Sequence, residues 1–358
     1  MKAPKSPVDL SAPPFGGAAA RGSPVGASLA ALLRRAPRGL PAVGQTPHTV
    51  AWTENKWRLL RFAPVAQTYA TPILLVPSLI NRWYVLDLGP TRSLIEWLVA
   101  QGHLVYCIDW GTPAAEDRYL TWDDIGGTYL GRAVRLCARE TGQTHVLGYC
   151  LGGTLATAYV AAFPDGVASL VALAAPIDFD HGGIMSLWTR TKSFDVRALV
   201  DGLGNVPWQL LQASFSMLKP TNPAAKTMAL LDRAWDDEFL DGFLATERWG
   251  NDNVAFPGEC YARYIEELYR GNRLVAGGFT VLGRPAEFGA IRCPVLALAF
   301  ADDHIVPVAS ARPLIERVAS RDKQLVVDAG GHVGAVVSRK AAGRLWPALH
   351  QFWHDRDR

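Results

Sequence analysis

Residues 145–154 read His-Val-Leu-Gly-Tyr-Cys-Leu-Gly-Gly-Thr, HVLGYCLGGT, an apolar run that enters a glycine-bracketed turn around Cys150. The helix-like stretch TLATAYVAAF begins at the end of this run, at Thr154. Strand, tight turn and helix in that order make a nucleophile elbow, Gly-x-nucleophile-x-Gly, in which Gly148 and Gly152 leave room for the strained backbone that carries the nucleophile. Serine usually occupies the centre of such a turn, whereas here it is a thiol. A buried structural cysteine is the competing reading of Cys150, and its place between strand and helix weighs against that. Cys107 in a strand, Cys137 in a helix, Cys260 further on and Cys293 before a strand read as ordinary buried thiols.

Outward from the elbow the chain alternates short apolar runs with amphipathic stretches. TPILLVPSL at 71–79, HLVYCIDW at 103–110 and GVASLVALAAPIDF at 166–179 read as buried strands. TRSLIEWLVAQG at 91–102 and TWDDIGGTYLGRAVRLCARETG at 121–142 read as helices between them. HTVAWTENKWRLLRFAP at 48–64 reads as a hairpin placed before this series. After residue 180 the rhythm gives way to about a hundred residues of tryptophan-rich, helix-like sequence with no strand-rich pattern. It resumes in CPVLALAFADDHIVP and KQLVVDAGGHVG and closes on the helix KAAGRLWPALHQFWHD. Repeated β-α-β units predict a mostly parallel sheet covered by helices, one α/β core with an inserted helical cap. The expected division is a flexible arm over 1–48, core over 49–180, cap over 181–288 and core again over 289–358.

The arm carries eight of the chain's 24 prolines, a composition that buries too little to order itself. Within it, GASLAALLRRAP can form a short amphipathic helix ended by Pro37. The arm also holds six basic residues against Asp9, so the remaining chain sits at a net charge of −2 out of +3 overall. No basic face interleaved with aromatics emerges, which leaves a nucleic-acid reading without support. Five unpaired cysteines fit a reducing cytoplasm rather than a disulfide framework. No apolar run is long enough to span a bilayer, and the N-terminus lacks a secretory pattern.

A nucleophile needs a base, and the base an orienting acid, which in this fold follow in chain order as acid and then histidine. Asp302 and Asp303 follow the strand VLALAF; the spacing to Pro307, with the acid four residues before the proline, selects Asp303. His332 stands in a glycine-rich loop after QLVVDA, also at a strand C-terminus, where open α/β sheets build their sites. His304 adjoins the acid without a defined role; His48, His103, His181, His350 and His354 lack any comparable setting. The oxyanion hole is expected from the backbone N–H of Leu151 with a second N–H at Leu79 or Ile80 in VPSLIN. No metal site is expected.

PSLINRWYVLDL, GHLVYCIDWGTP, LGYCLGGT, DGLGNVPWQLLQASFSMLKP, DHIVP and GGHVGAVVSRKA together resemble the short polyhydroxyalkanoate synthases, the catalytic subunits of the two-component type. The likeness runs from about residue 50 to the C-terminus. It implies an α/β-hydrolase core with a mostly parallel sheet and an inserted helical cap, polymerisation of 3-hydroxyacyl-CoA thioesters, with CoA released, no cofactor, and Cys150, Asp303 and His332 as nucleophile, acid and base. It also implies a second synthase subunit and a cytoplasmic location at the polymer granule surface; a homodimer is compatible with it. Where family members often carry glutamine, this elbow has Leu151, which leaves the backbone N–H in place. GYCLGG alone also fits a cysteine hydrolase of the dienelactone hydrolase or thioesterase kind. Asp303 stands 153 positions after Cys150, which leaves room for a large cap and favours the synthase. A granule-bound scaffold without catalysis is the third reading, against which the intact triad residues stand.

Overall fold

The structure is a computed structural model that describes residues 24–218 and 221–357. Its contacts form two compact units, a small one of residues up to Gly39 with Pro223–Asp241, and a large one of Leu40–Asn222 with Gly242 onward. The small unit contains α1 (Pro24–Arg35), where Arg35 pairs with Asp241 at 3.0 Å and the Ser28 hydroxyl accepts the Trp235 N–H at 3.2 Å. The rest of the arm that precedes α1 lies outside the described residues.

In the large unit the strands are β1 (Thr49–Glu54), β2 (Trp57–Phe62), β3 (Ile73–Val76), β4 (Val105–Asp109), β5 (Thr144–Tyr149) and β6 (Val167–Leu173). They continue, after a short hairpin of β7 (Thr280–Val281) and β8 (Arg284–Pro285), with β9 (Val295–Phe300) and β10 (Lys323–Asp328). The main sheet runs β1-β2-β4-β3-β5-β6-β9-β10. Its first pairings, β1 with β2 and β2 with β4, are antiparallel, and all the others are parallel. Together with the flanking helices this is the α/β-hydrolase arrangement.

The central strands read as unbroken apolar runs because both faces of the sheet are covered. Leu74, Val76, Val146, Leu170 and Ala172 point into one core, and Ile73, Leu75, Leu147, Val171 and Leu173 into the other, which is the two-residue period of a strand. Against the sheet lie α2 (Leu94–Ala100), α3 (Leu130–Cys137) and α4 (Leu151–Ala162). All twelve residues of α4 are buried, as expected of a helix that is apolar all round.

Between β6 and β7 come α5 (Gly183–Thr189), α6 (Val196–Leu203), α7 (Trp208–Leu218), α8 (Asn222–Arg233), α9 (Asp237–Asn251), α10 (Gly258–Arg263) and α11 (Arg273–Ala276). The backbone widens into π-type turns at Asp123–Tyr129 and Tyr264–Arg270. Among the described residues the region is helical apart from an antiparallel bridge between Val206 and Phe256 and the β7–β8 hairpin, which two-residue strands leave without any alternating pattern to read. The chain ends in α12 (Val308–Arg317), α13 (Gly334–Val337) and α14 (Arg339–His354), the last packed on α2 across the second core.

One expectation needs correcting. Residues 40–48, read from their prolines as part of a flexible arm, are bonded to the large unit. Gly44 donates its N–H to Asp87 O at 2.8 Å, and Thr46 gives both its N–H and its hydroxyl to the Asp87 carboxylate at 2.9 Å. Composition misled because the partner that satisfies this backbone, a buried aspartate, lies about forty residues downstream.

Candidate active site

Cys150 joins the end of β5 to the start of α4 with φ 56° and ψ −130°, a conformation that a non-glycine residue adopts only when its surroundings impose it. Here they do. The Cys150 N–H donates to Leu173 O on the neighbouring strand at 3.0 Å, and its carbonyl accepts from Gly153 N–H at 2.8 Å. The bracketing glycines are required by close approach. A Cβ on Gly152 would stand 2.0 Å from Val76 O and 2.5 Å from Pro77 O, and one on Gly148 would stand 2.4 Å from Gly153 Cα. The first turn of α4 thus rests directly on the backbone leaving β3.

The acid and the histidine arrive on the loops after β9 and β10. Asp303 Oδ2 accepts from His332 Nδ1 at 2.7 Å, while Oδ1 accepts the N–H groups of Ile305 and Val306, each at 2.8 Å. Three donors hold the carboxylate, and its side chain is fully buried. Asp302 is exposed, so the structure places Asp303, not its neighbour, against the imidazole. With Nδ1 committed, Nε2 is the ring nitrogen left for the hydrogen bond to Cys150. Tyr149 lies beneath the histidine, with ring centroids 5.5 Å apart, and its hydroxyl donates to His332 O at 3.2 Å.

Burial alone drives the His332 imidazole toward its neutral form, but the Cys150 sulfur and the Asp303 carboxylate outweigh it and lift the group to about 10. The other four thiols lie higher than a free cysteine because burial disfavours their charge, Cys293 at about 11.

Cys150 and Leu151 lie at a cavity whose further walls include Ser78, Ile80, Met185, Phe215, Phe256, Tyr264 and Tyr269. The lining is largely apolar, as substrate pockets are. Tyr264 and Tyr269 hydrogen-bond one another, and burial, with Cys150 adding to it, raises both phenols, Tyr269 to about 12. They remain neutral at physiological pH. The segment that carries them is fastened to the loop after β6 by Asn272, which accepts the Phe179 N–H at 3.0 Å and donates to Asp178 and Asp180 at 2.8 and 2.9 Å.

Of the two residues considered for the second oxyanion donor, Ile80 lines this cavity. Leu79 faces a separate hollow with Trp57 and Trp110. Sequence reasoning missed Ser78, Tyr149, Tyr264 and Tyr269. Ser78 and Tyr149 stood inside motifs already singled out; Tyr264 and Tyr269, five apart, share a face only because the turn is π-type. His103 bonds His350 at 3.0 Å and His145 bonds Ser169 at 2.8 Å, near the opposite ends of β4 and β5 from Cys150. Among the described residues no cluster of three or more His, Cys, Asp or Glu side chains could hold a metal ion, and no helix is long and apolar enough to cross a membrane.

Comparison with known proteins agrees with this architecture. Residues 71–337 match the family described as alpha/beta hydrolase fold, and residues 41–98 match the family described as the N-terminus of poly-beta-hydroxybutyrate polymerase (PhaC). The chain is 34% identical to the poly(3-hydroxyalkanoate) polymerase subunit PhaC of Allochromatium vinosum, over 87% of this chain and 90% of that protein. It is 33% identical to the protein of the same name from Synechocystis, over 88% and 86%. With the Haloferax mediterranei protein it shares 35% identity over 88% of this chain, which spans 65% of that longer relative. An esterase structure from Thermogutta terrifontis superposes with a TM-score of 0.51 at 16% identity, over 88% of this chain and all of that one, a likeness of fold. The second match begins at residue 41, within the stretch that Asp87 secures. The chain belongs to the poly(3-hydroxyalkanoate) polymerase family, acyltransferases of the α/β-hydrolase superfamily.

Proposed function

We propose that the chain polymerises 3-hydroxyacyl-CoA of short chain length, such as 3-hydroxybutyryl-CoA, into polyester, with Cys150 carrying the acyl group as a thioester. The observation that carries this reading is the continuous hydrogen-bonded series Cys150, His332 and Asp303 beside a largely apolar cavity. His332 Nε2 takes the thiol proton, and the thiolate attacks the acyl carbonyl. The C–S bond to Cys150 forms, the carbonyl electron pair moves onto oxygen beside the Leu151 N–H, and CoA departs with the proton returned by His332. One thioester has been exchanged for another at little cost in free energy. His332 then deprotonates the 3-hydroxyl of a second hydroxyacyl group, whose oxygen attacks; an ester bond forms and Cys150 leaves as a thiol. A serine in its place would spend that driving force on an oxygen ester before the hydroxyl arrived. No step calls for a metal or a cofactor.

Water competes for the thioester, and the apolar lining from α5, α7 and the 256–269 segment serves to keep it out. The outer side of α5 and α7 exposes Ile184, Leu187, Leu210 and Met217. That apolar surface suits contact with the polyester at a granule surface. A second synthase subunit completes the proposed assembly. The test is incubation with 3-hydroxybutyryl-CoA, with and without a candidate second subunit, alongside Cys150→Ala. CoA released in proportion to polymer, and lost with the thiol, supports the reading; CoA release that yields only free hydroxy acid would establish a thioesterase instead.

A further inference from the structure

Ser78 is the second residue of the loop that leaves β3. Its side chain is 1% exposed, and its hydroxyl has no hydrogen-bond partner within the protein. A buried hydroxyl left unpaired opposes folding, and such groups are scarce in native proteins unless something outside the chain satisfies them. Ser78 shares the wall of the large cavity with Cys150, Leu151 and Ile80. Three other hydroxyls of that wall have partners: Ser214 donates to Leu210 O at 3.0 Å, and Tyr264 and Tyr269 bond each other.

The position of Ser78 is fixed from three sides. Before it, Pro77 O accepts the Trp110 indole N–H at 2.9 Å. After it, Ile80 O accepts the Val254 N–H at 3.2 Å, and Asn81 bonds Asn253. Across the cavity floor, the carbonyls of Val76 and Pro77 press on Gly152, close enough that no Cβ fits between them. The loop carrying Ser78 and the turn carrying Cys150 are therefore one rigid piece. An unpaired donor held at a set place beside a nucleophile is what stabilisation of developing charge requires, because no reorganisation is needed when the charge appears.

We propose that the Ser78 hydroxyl donates a hydrogen bond to the acyl carbonyl oxygen as it becomes an oxyanion on Cys150, beside the Leu151 N–H. The inference rests on the acyl-transfer reading above. In the step, the sulfur–carbon bond forms and the carbonyl π pair moves to oxygen. Ser78 keeps its proton throughout, and the pair returns when CoA leaves. The donor unsatisfied in the free enzyme finds its acceptor in the reaction, so the interaction raises kcat more than it lowers KM.

The test is Ser78→Ala, measured for urea stability and for CoA release from 3-hydroxybutyryl-CoA and from butyryl-CoA, which lacks the hydroxyl and reports acylation alone in a single turnover. Removal of a hydroxyl without a partner leaves the urea midpoint unchanged or higher. The acylation rate falls about 10²-fold with KM nearly constant, the usual loss for an oxyanion donor. The loss is the same for both thioesters, since the carbonyl is common to them. Wild-type acylation in Ser78→Ala overturns the inference, as does a loss confined to the hydroxylated thioester, which would assign the hydroxyl to the 3-OH. A rate loss that tracks a lowered urea midpoint would make the residue structural and overturns it too. If the wild-type protein releases no CoA from either thioester, the acyl-transfer reading fails first and this inference with it.

Discussion

Asp303→Asn tests the site most sharply, because the structure dictates how the amide must sit. The carboxylate accepts two backbone N–H groups on Oδ1 at 2.8 Å and His332 Nδ1 on Oδ2 at 2.7 Å. An asparagine oxygen can keep only one of these sides. Retaining both backbone bonds points the amide N–H₂ at Nδ1, and that nitrogen must then accept rather than donate. The imidazole proton moves to Nε2, which can no longer take the Cys150 proton. The loss of rate for a wrong tautomer in an otherwise intact triad is about 10⁴-fold. The same change removes one of the charges that lift His332 to about 10, and burial then pulls it down. The fold should hold, since the two backbone bonds survive, at a cost of about 1–3 kcal/mol for the lost charged bond. CoA release from 3-hydroxybutyryl-CoA gives the rate, and the pH profile of that rate reports the ionisation of His332. In Asp303→Asn the imidazole midpoint of that profile moves down. Asp302→Asn, at an exposed position, changes neither. An Asp303→Asn enzyme within tenfold of wild type, or an equal loss in Asp302→Asn, would refute the reasoning.

Gly152→Ala forces a methyl to within 2.0 Å of Val76 O and 2.5 Å of Pro77 O. Backbone cannot give way as a side chain can, so destabilisation of about 3 kcal/mol or more, or loss of soluble protein, is expected in urea unfolding. Gly343→Ala in α14 meets nothing within 4 Å, and should raise stability by about 0.5–1 kcal/mol; a fall there would contradict this account of the two positions. Acid sensitivity follows from two buried histidines. Burial holds His103 down to about 3, aided by His350 and His145, and holds His145 down to about 4 against the pull of Asp357. Because their folded values lie below the unfolded 6.5, their stabilisation is complete above pH 6.5 and is lost as pH falls from there toward 4. The slope approaches about 1.4 kcal/mol per pH unit for each histidine. Urea midpoints at pH 7.5, 6.5 and 5.5 check this, and a midpoint that stays flat to pH 5.5 would contradict it.

How much of this was legible depends on where each structural cause lies along the chain. The parallel strands showed because burial on both faces leaves the same local mark in each: Leu74 and Leu75, on adjacent positions of β3, enter different cores, and both must be apolar. The hairpin β1–β2 showed through its turn and its alternation. Residues 40–48 did not, since prolines and glycines describe the segment while Asp87 decides its fate. The lateral order of the strands left no local mark either. β3 enters between β4 and β5, a crossover that depends on which neighbours complete the cores rather than on any residue in the strand itself.

The site divides in the same way. Cys150, His332 and Asp303 could be named because a nucleophile in a strained turn needs small neighbours, and because each loop follows an apolar strand that announces its end. The proline spacing at Pro307 pointed to Asp303, and the structure gives the physical counterpart: the turn preceding the proline supplies the two backbone donors, from Ile305 and Val306, that orient the carboxylate. Ser78 is harder to read for a reason of principle. Its chemical interest comes from a missing partner, and a missing partner is a property of everything packed around a residue. The sequence VPSLIN contains the serine, but only the closeness of Gly152 to the carbonyls of Val76 and Pro77 shows that the loop cannot retreat from the cavity. The two glycines that first marked the turn as an elbow therefore serve a second purpose. Gly148 lets the thiol adopt its conformation, and Gly152 brings the β3 loop, with its unpaired hydroxyl, against the same turn.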